Sequence, residues 1–302
     1  MPNNFDDLMG WLDKPKEVLG VMQALPMPVF GDVYGAFKSS GAGKKMLLHE
    51  CIIKLLGNFP VRLQTIGDCV SMGAACAVDV LKATEIIING DYEEWVGSTS
   101  TEDIYGGSRV LIGNGQLGYG DGSVGAWAAQ YVNIYGTLIR KNYGFVDLSV
   151  YDGQRAKAWG NPNAGTPKDL LPLAKEHLVK TVSQVRNYEE ARDAIFNGYP
   201  VTVASNQGFN KLRDRDGFAS PEGNWGHQMC FIAMDDEYRR KGLLCQNSWG
   251  TDWISGPKRN NQPDGSFWVD ADVVNRMLAA NDSWAYSNFD GFKPQTINLR
   301  IM

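Results

Sequence analysis

The chain has only three histidines and five cysteines in 302 residues. The cysteines, at 51, 69, 76, 230 and 245, are odd in number and form no CxxC pair. That argues against a disulfide scaffold and against a structural zinc site, and no metal or cofactor is expected. Each Cys is then either buried or reactive, and a reducing compartment is the expected setting. No stretch approaches the ~18 uninterrupted apolar residues of a membrane helix. The opening "MPNNFDDLMGWLDKPKEVLG" carries acids where a secretory leader carries bases, so secretion is not expected. Basic residues are not in excess either. With a net charge of −5, a general nucleic-acid surface is not expected. The chain is placed in the cytoplasm or inside an intracellular or viral assembly.

What is present suits a folded α+β protein. Hydrophobic residues make up 43% of the chain and charged ones 21%, enough for a sizeable core. Residues 5–25 read as two short amphipathic helices separated at Pro15, of the kind that dock on a body or a partner. "FGDVYGAFKSSGAGKK" (30–45) reads as a linker or extended arm, and the main domain is expected from about residue 51. "VSMGAACAVDVLKATEIII" (70–88) suits a helix with a small-residue face. Nine glycines between 97 and 125 predict mostly loop. Within them "GNGQLG" matches GxGxxG, but the glycines that follow leave no helix to receive a pyrophosphate. Helices are expected over 124–136, after a capping box at Thr166, Pro167 and Asp169, and over 187–198. "YPVTVAS" and "DGSFWVD" read as strands, and "MCFIAM" and "GLLCQNS" as a hairpin whose turn holds Asp235 and Asp236 in solvent. His177, near a helix end, is read as structural, a cation suited to the dipole.

Cys69, in "QTIGDCVSMG", sits where a helix begins. The positive end of the macrodipole favours a thiolate there, although a Cys by default is a small buried hydrophobe. Cys51 and Cys76 read as structural. His227, in "GHQMCFIAMD", starts a strand, and alone it reads as a packing residue. Asn247, twenty residues on across the expected hairpin, changes that. An amide oxygen can hold an imidazole in the tautomer that takes a thiol proton, and Trp249 can cover their hydrogen bond. Cys, His and Asn are the parts of an activated thiol.

"QNSWGTDW" resembles the Asn-Ser-Trp-Gly segment of the papain-like cysteine peptidases. "GDC" before a helix resembles their nucleophile segment, "GHQMCFIAM" their His strand, and "ARDAIFNGYPVTVAS" the helix and strand before it. Cys69 and His227 lie 158 residues apart, close to the roughly 130–150 of this class. The resemblance implies a two-lobe fold: a helical lobe over about 51–175, a β-rich lobe over about 176–302, and a cleft between them. It implies Cys69 as nucleophile, His227 as base and later acid, and Asn247 as orienter. Gln64 and the Cys69 N–H would form the oxyanion hole, with Gly122 and Trp249 on the substrate side. The reaction implied is hydrolysis of a peptide or isopeptide bond in a peptide or protein substrate. Gln64 lies five residues before the Cys where the family usually has six, Val70 replaces an aromatic, and Ile66 replaces a Cys. Asp68 would raise the thiol's pKa if close. Residues 1–50 do not resemble the family's pro-segment, so a protein partner docking on this arm is a further expectation. The alternative is a non-catalytic papain-fold component of a larger assembly such as a virus particle.

Overall fold

The computed structural model describes residues 5–26, 28–32, 39–89 and 95–287. Part of the stretch expected as a linker, residues 33–38, lies outside them. A 3-10 turn, Phe5–Leu8, precedes α1 (Pro15–Ala24), so the expected break at Pro15 is a helix start, where its missing N–H costs nothing. Then come β1 (Lys45–Leu47), α2 (His49–Leu56) and the long α3 (Cys69–Thr84). The helical half continues with α4 (Glu102–Gly106), α5 (Gly125–Ile134), α6 (Gly153–Trp159) and α7 (Leu171–Ala174). The second half is mainly strands: β2 (Thr181–Gln184), α8 (Tyr188–Phe196), β3 (Val201–Arg213) and β4 (Ala219–Asp235), then β5 (Gly242–Gln246), β6 (Ser266–Asp270), α9 (Ala271–Leu278) and β7 (Trp284–Ser287). The strands form one antiparallel sheet in the order β2-β7-β3-β4-β5-β6, with β1 along β4. This is the two-lobe α+β architecture expected from the sequence.

Helix α3 joins the halves. Its alanines let neighbours approach on every side, and nearly all of it is buried. A methyl added at Gly73 would sit 3.1 Å from the Met229 carbonyl of β4, so the helix lies directly on that strand. The contact brings the start of α3, Cys69, under the backbone N–H of Gln228, the residue after His227. The β4–β5 register pairs Cys230 with Gln246 and leaves Asn247, the next residue, facing back toward His227.

Several expectations need correction. The glycine-rich segment is not mostly loop in its first part, because residues 102–112 are helical, ending in a π turn. Its glycines there serve packing: a Cβ at Gly107 would fall 2.0 Å from the Tyr131 ring. The rest is a loop, pinned by the buried Arg109. The guanidinium donates to the carbonyls of Gly118, Gly120, Gly122 and Gly160. Thr166 is not a cap, since its hydroxyl donates to the Asp103 carbonyl, and the helical turn after Pro167 is 3-10. Asp235 and Asp236 are not in a solvated turn. Both are buried: the 258–262 loop puts Arg259 on Asp235 at 2.5 Å, while Asp236 lies beside Lys241 at 2.9 Å and accepts from the Tyr188 hydroxyl and the Gly43 N–H. His177 does end a helical turn, but burial and the charges of Lys82 and Lys141 push it down to about 4, so it is neutral.

The two uses of glycine in this segment respond differently to a methyl. Gly107→Ala should cost about 1–3 kcal/mol through overpacking against Tyr131. Gly120→Ala meets open space and should be neutral or gain up to about 1 kcal/mol. Urea-unfolding midpoints of the two variants check this; equal effects would contradict it.

Candidate active site

Four side chains named from sequence meet where α3 abuts the sheet. His227 Nε2 donates to Asn247 Oδ1 at 2.8 Å, and the same oxygen accepts the Ser248 backbone N–H at 2.7 Å. An amide oxygen only accepts, so Nε2 carries the proton and Nδ1 keeps its lone pair. Nδ1 is buried and makes no hydrogen bond. Trp249 lies over the imidazole with ring centroids 4.7 Å apart, and Trp225 and Trp253 pack around it. Trp249 thus packs against the ring whose Nε2 makes the bond to Asn247. The Cys69 sulfur accepts from the Gln228 backbone N–H at 3.4 Å, the residue directly after His227. No hydrogen bond joins the thiol to the imidazole.

Gln64 is in the site despite its shifted position. Its Oε1 accepts from Ser248 Oγ at 2.6 Å, tying it to the residue after Asn247. Its Nε2 donates to the carbonyls of Leu8, at 2.7 Å, and Ile66, at 2.8 Å.

Leu8 belongs to the N-terminal arm, and the arm fills the cleft. The Gly10 and Trp11 N–H groups both donate to the Gly226 carbonyl, Ser123 N–H donates to Gly10, and Leu12 N–H to Ser123. Phe5 stacks on Trp249 at 4.7 Å. Gly10 passes so close to the nucleophile turn that a methyl on it would lie 1.9 Å from the Gly67 carbonyl oxygen. Gly122, expected on the substrate side, faces this same segment: a Cβ on it would meet the Gly10 carbonyl at 2.9 Å. The arm docks on its own chain, in the groove between the lobes.

Burial sets the protonation states. The Cys69 thiol is fully buried and pushed up to about 12, against the donor N–H groups of Gln228 and Gly10; the Asp68 charge adds a smaller push. His227 is pushed down to about 4 by burial, opposed by its bond to Asn247. Asp68 is itself raised to about 8, chiefly by burial and against the Tyr151 hydroxyl that donates to it at 3.0 Å. With the arm docked, therefore, thiol and imidazole are both neutral at pH 7. The dipole at the start of α3 does not make a thiolate here.

Sequence reasoning missed Gly10, Trp11, Gln228, Tyr151 and Asp282. Gly10 in the otherwise apolar "LMGWL" carried a signal, since an isolated Gly suggests close approach of two backbones. Asp282 carried none; only the fold brings it beneath Trp11. Among the described residues no group of His, Cys, Asp or Glu could hold a metal, and no helix is long and apolar enough to cross a membrane.

No family model and no curated protein matches the sequence. Solved structures do match the fold. Xylellain, a cysteine protease from Xylella fastidiosa, aligns at 17% identity and a TM-score of 0.58, over 96% of this chain and 99% of its own. Procathepsin B S9 from Trypanosoma congolense aligns at 12% identity and 0.55, over 96% and 88%. Digestive procathepsin L 3 from Tenebrio molitor aligns at 15% and 0.50, over 90% and 78%. The fold is papain-like.

The neutral imidazole is directly measurable. In nitrogen-resolved NMR of the intact chain, His227 should stay in the Nε2–H tautomer without titrating from pH 8 to 5, since its pKa is about 4. A midpoint near the ordinary ~6.5 would contradict the burial argument.

Proposed function

We propose that this chain is a papain-like thiol hydrolase that cuts a peptide or isopeptide bond through an acyl-enzyme on Cys69, and that the arm-docked form is latent. The observation that carries the reading is the His227–Asn247 hydrogen bond packed against Trp249, which leaves Nδ1 unprotonated and without a partner, while the next residue, Gln228, donates its backbone N–H to the Cys69 sulfur. A buried nitrogen without a partner costs about 1–3 kcal/mol. A general base needs that lone pair free to take a proton.

In this reading, release of the arm lets water and substrate into the cleft and removes the burial that keeps the pair neutral. Cys69 gives its proton to His227 Nδ1, and Asn247 holds the resulting imidazolium through Nε2. The thiolate attacks the substrate carbonyl. Negative charge on that oxygen is met by the Cys69 N–H and by Gln64 Nε2, which no longer donates to Leu8. His227 then protonates the departing amine, leaving a thioester. Water, deprotonated by His227, hydrolyses it and frees the acid.

Gly10 offers a way to open the cleft without removing the arm. A side chain there cannot be accommodated against Gly67, so Gly10→Ala should expel the segment locally. Iodoacetamide at pH 7 should modify Cys69 of that variant at least about tenfold faster than in the parent chain, a change of about 1.4 kcal/mol. Cys51, Cys76, Cys230 and Cys245, all buried, serve as internal references. Adding His227→Ala should abolish the gain. If Cys69 in Gly10→Ala reacts no faster than the other four, the hydrolase reading fails.

A further inference from the structure

The arm also shows what one wall of the cleft is built to hold. Trp11 is buried, and its indole Nε1 donates to Asp282 Oδ2 at 2.8 Å. Asp282 is fully inside the protein, with no cation among its partners: Oδ1 accepts from Trp284 Nε1 at 2.8 Å and Oδ2 from the Gly125 N–H at 2.7 Å. Among the described residues most buried carboxylates are answered by an arginine or lysine, as Asp79, Glu102, Asp235 and Asp236 are. Asp282 is answered by N–H groups alone, two of them from indoles. Gly125 lets Gln228 and Asp282 close in beside it: a Cβ there would lie 2.6 Å from Gln228 Oε1 and 2.8 Å from Asp282 Oδ1. Gln228 follows His227 directly, and its backbone N–H is the donor on Cys69. Its Oε1 is buried without a hydrogen bond.

The backbone around Trp11 is held as a bound strand would be. Its own N–H goes to Gly226, next to His227, while Ser123 bonds the residues on either side of it. A peptide entering after the arm leaves finds the same Gly226 carbonyl, the same Ser123 edge and the space that Trp11 vacates.

We propose that the cavity filled by Trp11 is the subsite that selects the substrate side chain, that it takes an indole, and that Asp282 specifies it. The substrate class is then peptides carrying tryptophan next to the residue placed on Cys69. This rests on the hydrolase reading for its use, but not for its recognition chemistry. An indole fills the cavity and gives Asp282 its N–H, whereas a phenyl ring leaves that acceptor buried and unpaired.

The test is binding, which does not require Cys69 to react. Full-length protein carrying Gly10→Ala and Trp11→Ala, with the cleft cleared, is titrated with fluorescent peptides of the arm sequence FDDLMGWLDK. The tryptophan is kept, or replaced by phenylalanine, by arginine, or by 3-benzothienylalanine, which has the shape of tryptophan without its N–H. Anisotropy should show the tryptophan peptide binding about tenfold tighter than the other three. Adding Asp282→Asn should bring tryptophan and benzothienylalanine to within about threefold. Equal affinity for those two peptides in the Asp282 protein, or tighter binding of the arginine peptide, overturns the proposal. Should these variants not fold, Trp11→Phe in the otherwise unaltered chain provides the second measurement. Hydrogen exchange at the amides of residues 10–12 should rise about tenfold, and unchanged protection overturns the proposal. If Cys69 proves inert while the tryptophan preference holds, the hydrolase reading fails and the indole pocket stands.

Discussion

The site depends on one hydrogen bond, from His227 Nε2 to Asn247 Oδ1. It fixes the proton on Nε2 and so leaves Nδ1 as the only ring nitrogen able to take a proton. Local and distant segments together position this bond. Gly73 and the alanines of α3 let the helix lie on β4, the β4–β5 register returns Asn247 toward His227, and Trp249 closes over the pair. The same packing puts Cys69 under the Gln228 N–H.

Two influences compete over the thiol, and their sizes decide the outcome. The positive end of a helix favours a thiolate by roughly 0.3–1 kcal/mol. Burial moves Cys69 from its ordinary value of 9.0 to about 12, equivalent to about 4 kcal/mol. Burial wins while the arm is docked, and the arm contributes to that burial by laying Gly10 on the nucleophile turn. The residues that would run the chemistry are thus held in their uncharged forms by the segment that blocks access to them. Gln64 shows the same economy, since the N–H expected to meet an oxyanion is donated to the Leu8 carbonyl.

Much of this was legible because it is local. The small-residue run after Cys69, the Asn187–Gly198 helix and the hairpin around residues 236–241 were read from periodicity and caps, and all three are present. Cys69, His227, Asn247 and Gln64 were named from a motif and its spacing, and the fold gathers them in one place. What was not legible depends on contacts between distant segments. Glycines 106 and 107 read as loop because their use against Trp159 and Tyr131 is invisible in a window of sequence. Asp235 and Asp236 read as solvated because their cation partners include Arg259, more than twenty residues away. The arm's destination was hidden for the same reason: Trp11 and Asp282 are 271 residues apart.

The most direct measurement of the central claim is the ultraviolet absorbance of the Cys69 thiolate against pH, taken as the difference between each protein and its Cys69→Ser counterpart. With the arm docked, the account predicts no thiolate signal at pH 7 and one only near the top of the accessible range, as a pKa of about 12 requires. In the Gly10→Ala protein the signal should be present at pH 7 and disappear when His227→Ala is added. A thiolate at pH 7 in the intact chain, or identical curves for the parent and Gly10→Ala proteins, would contradict it.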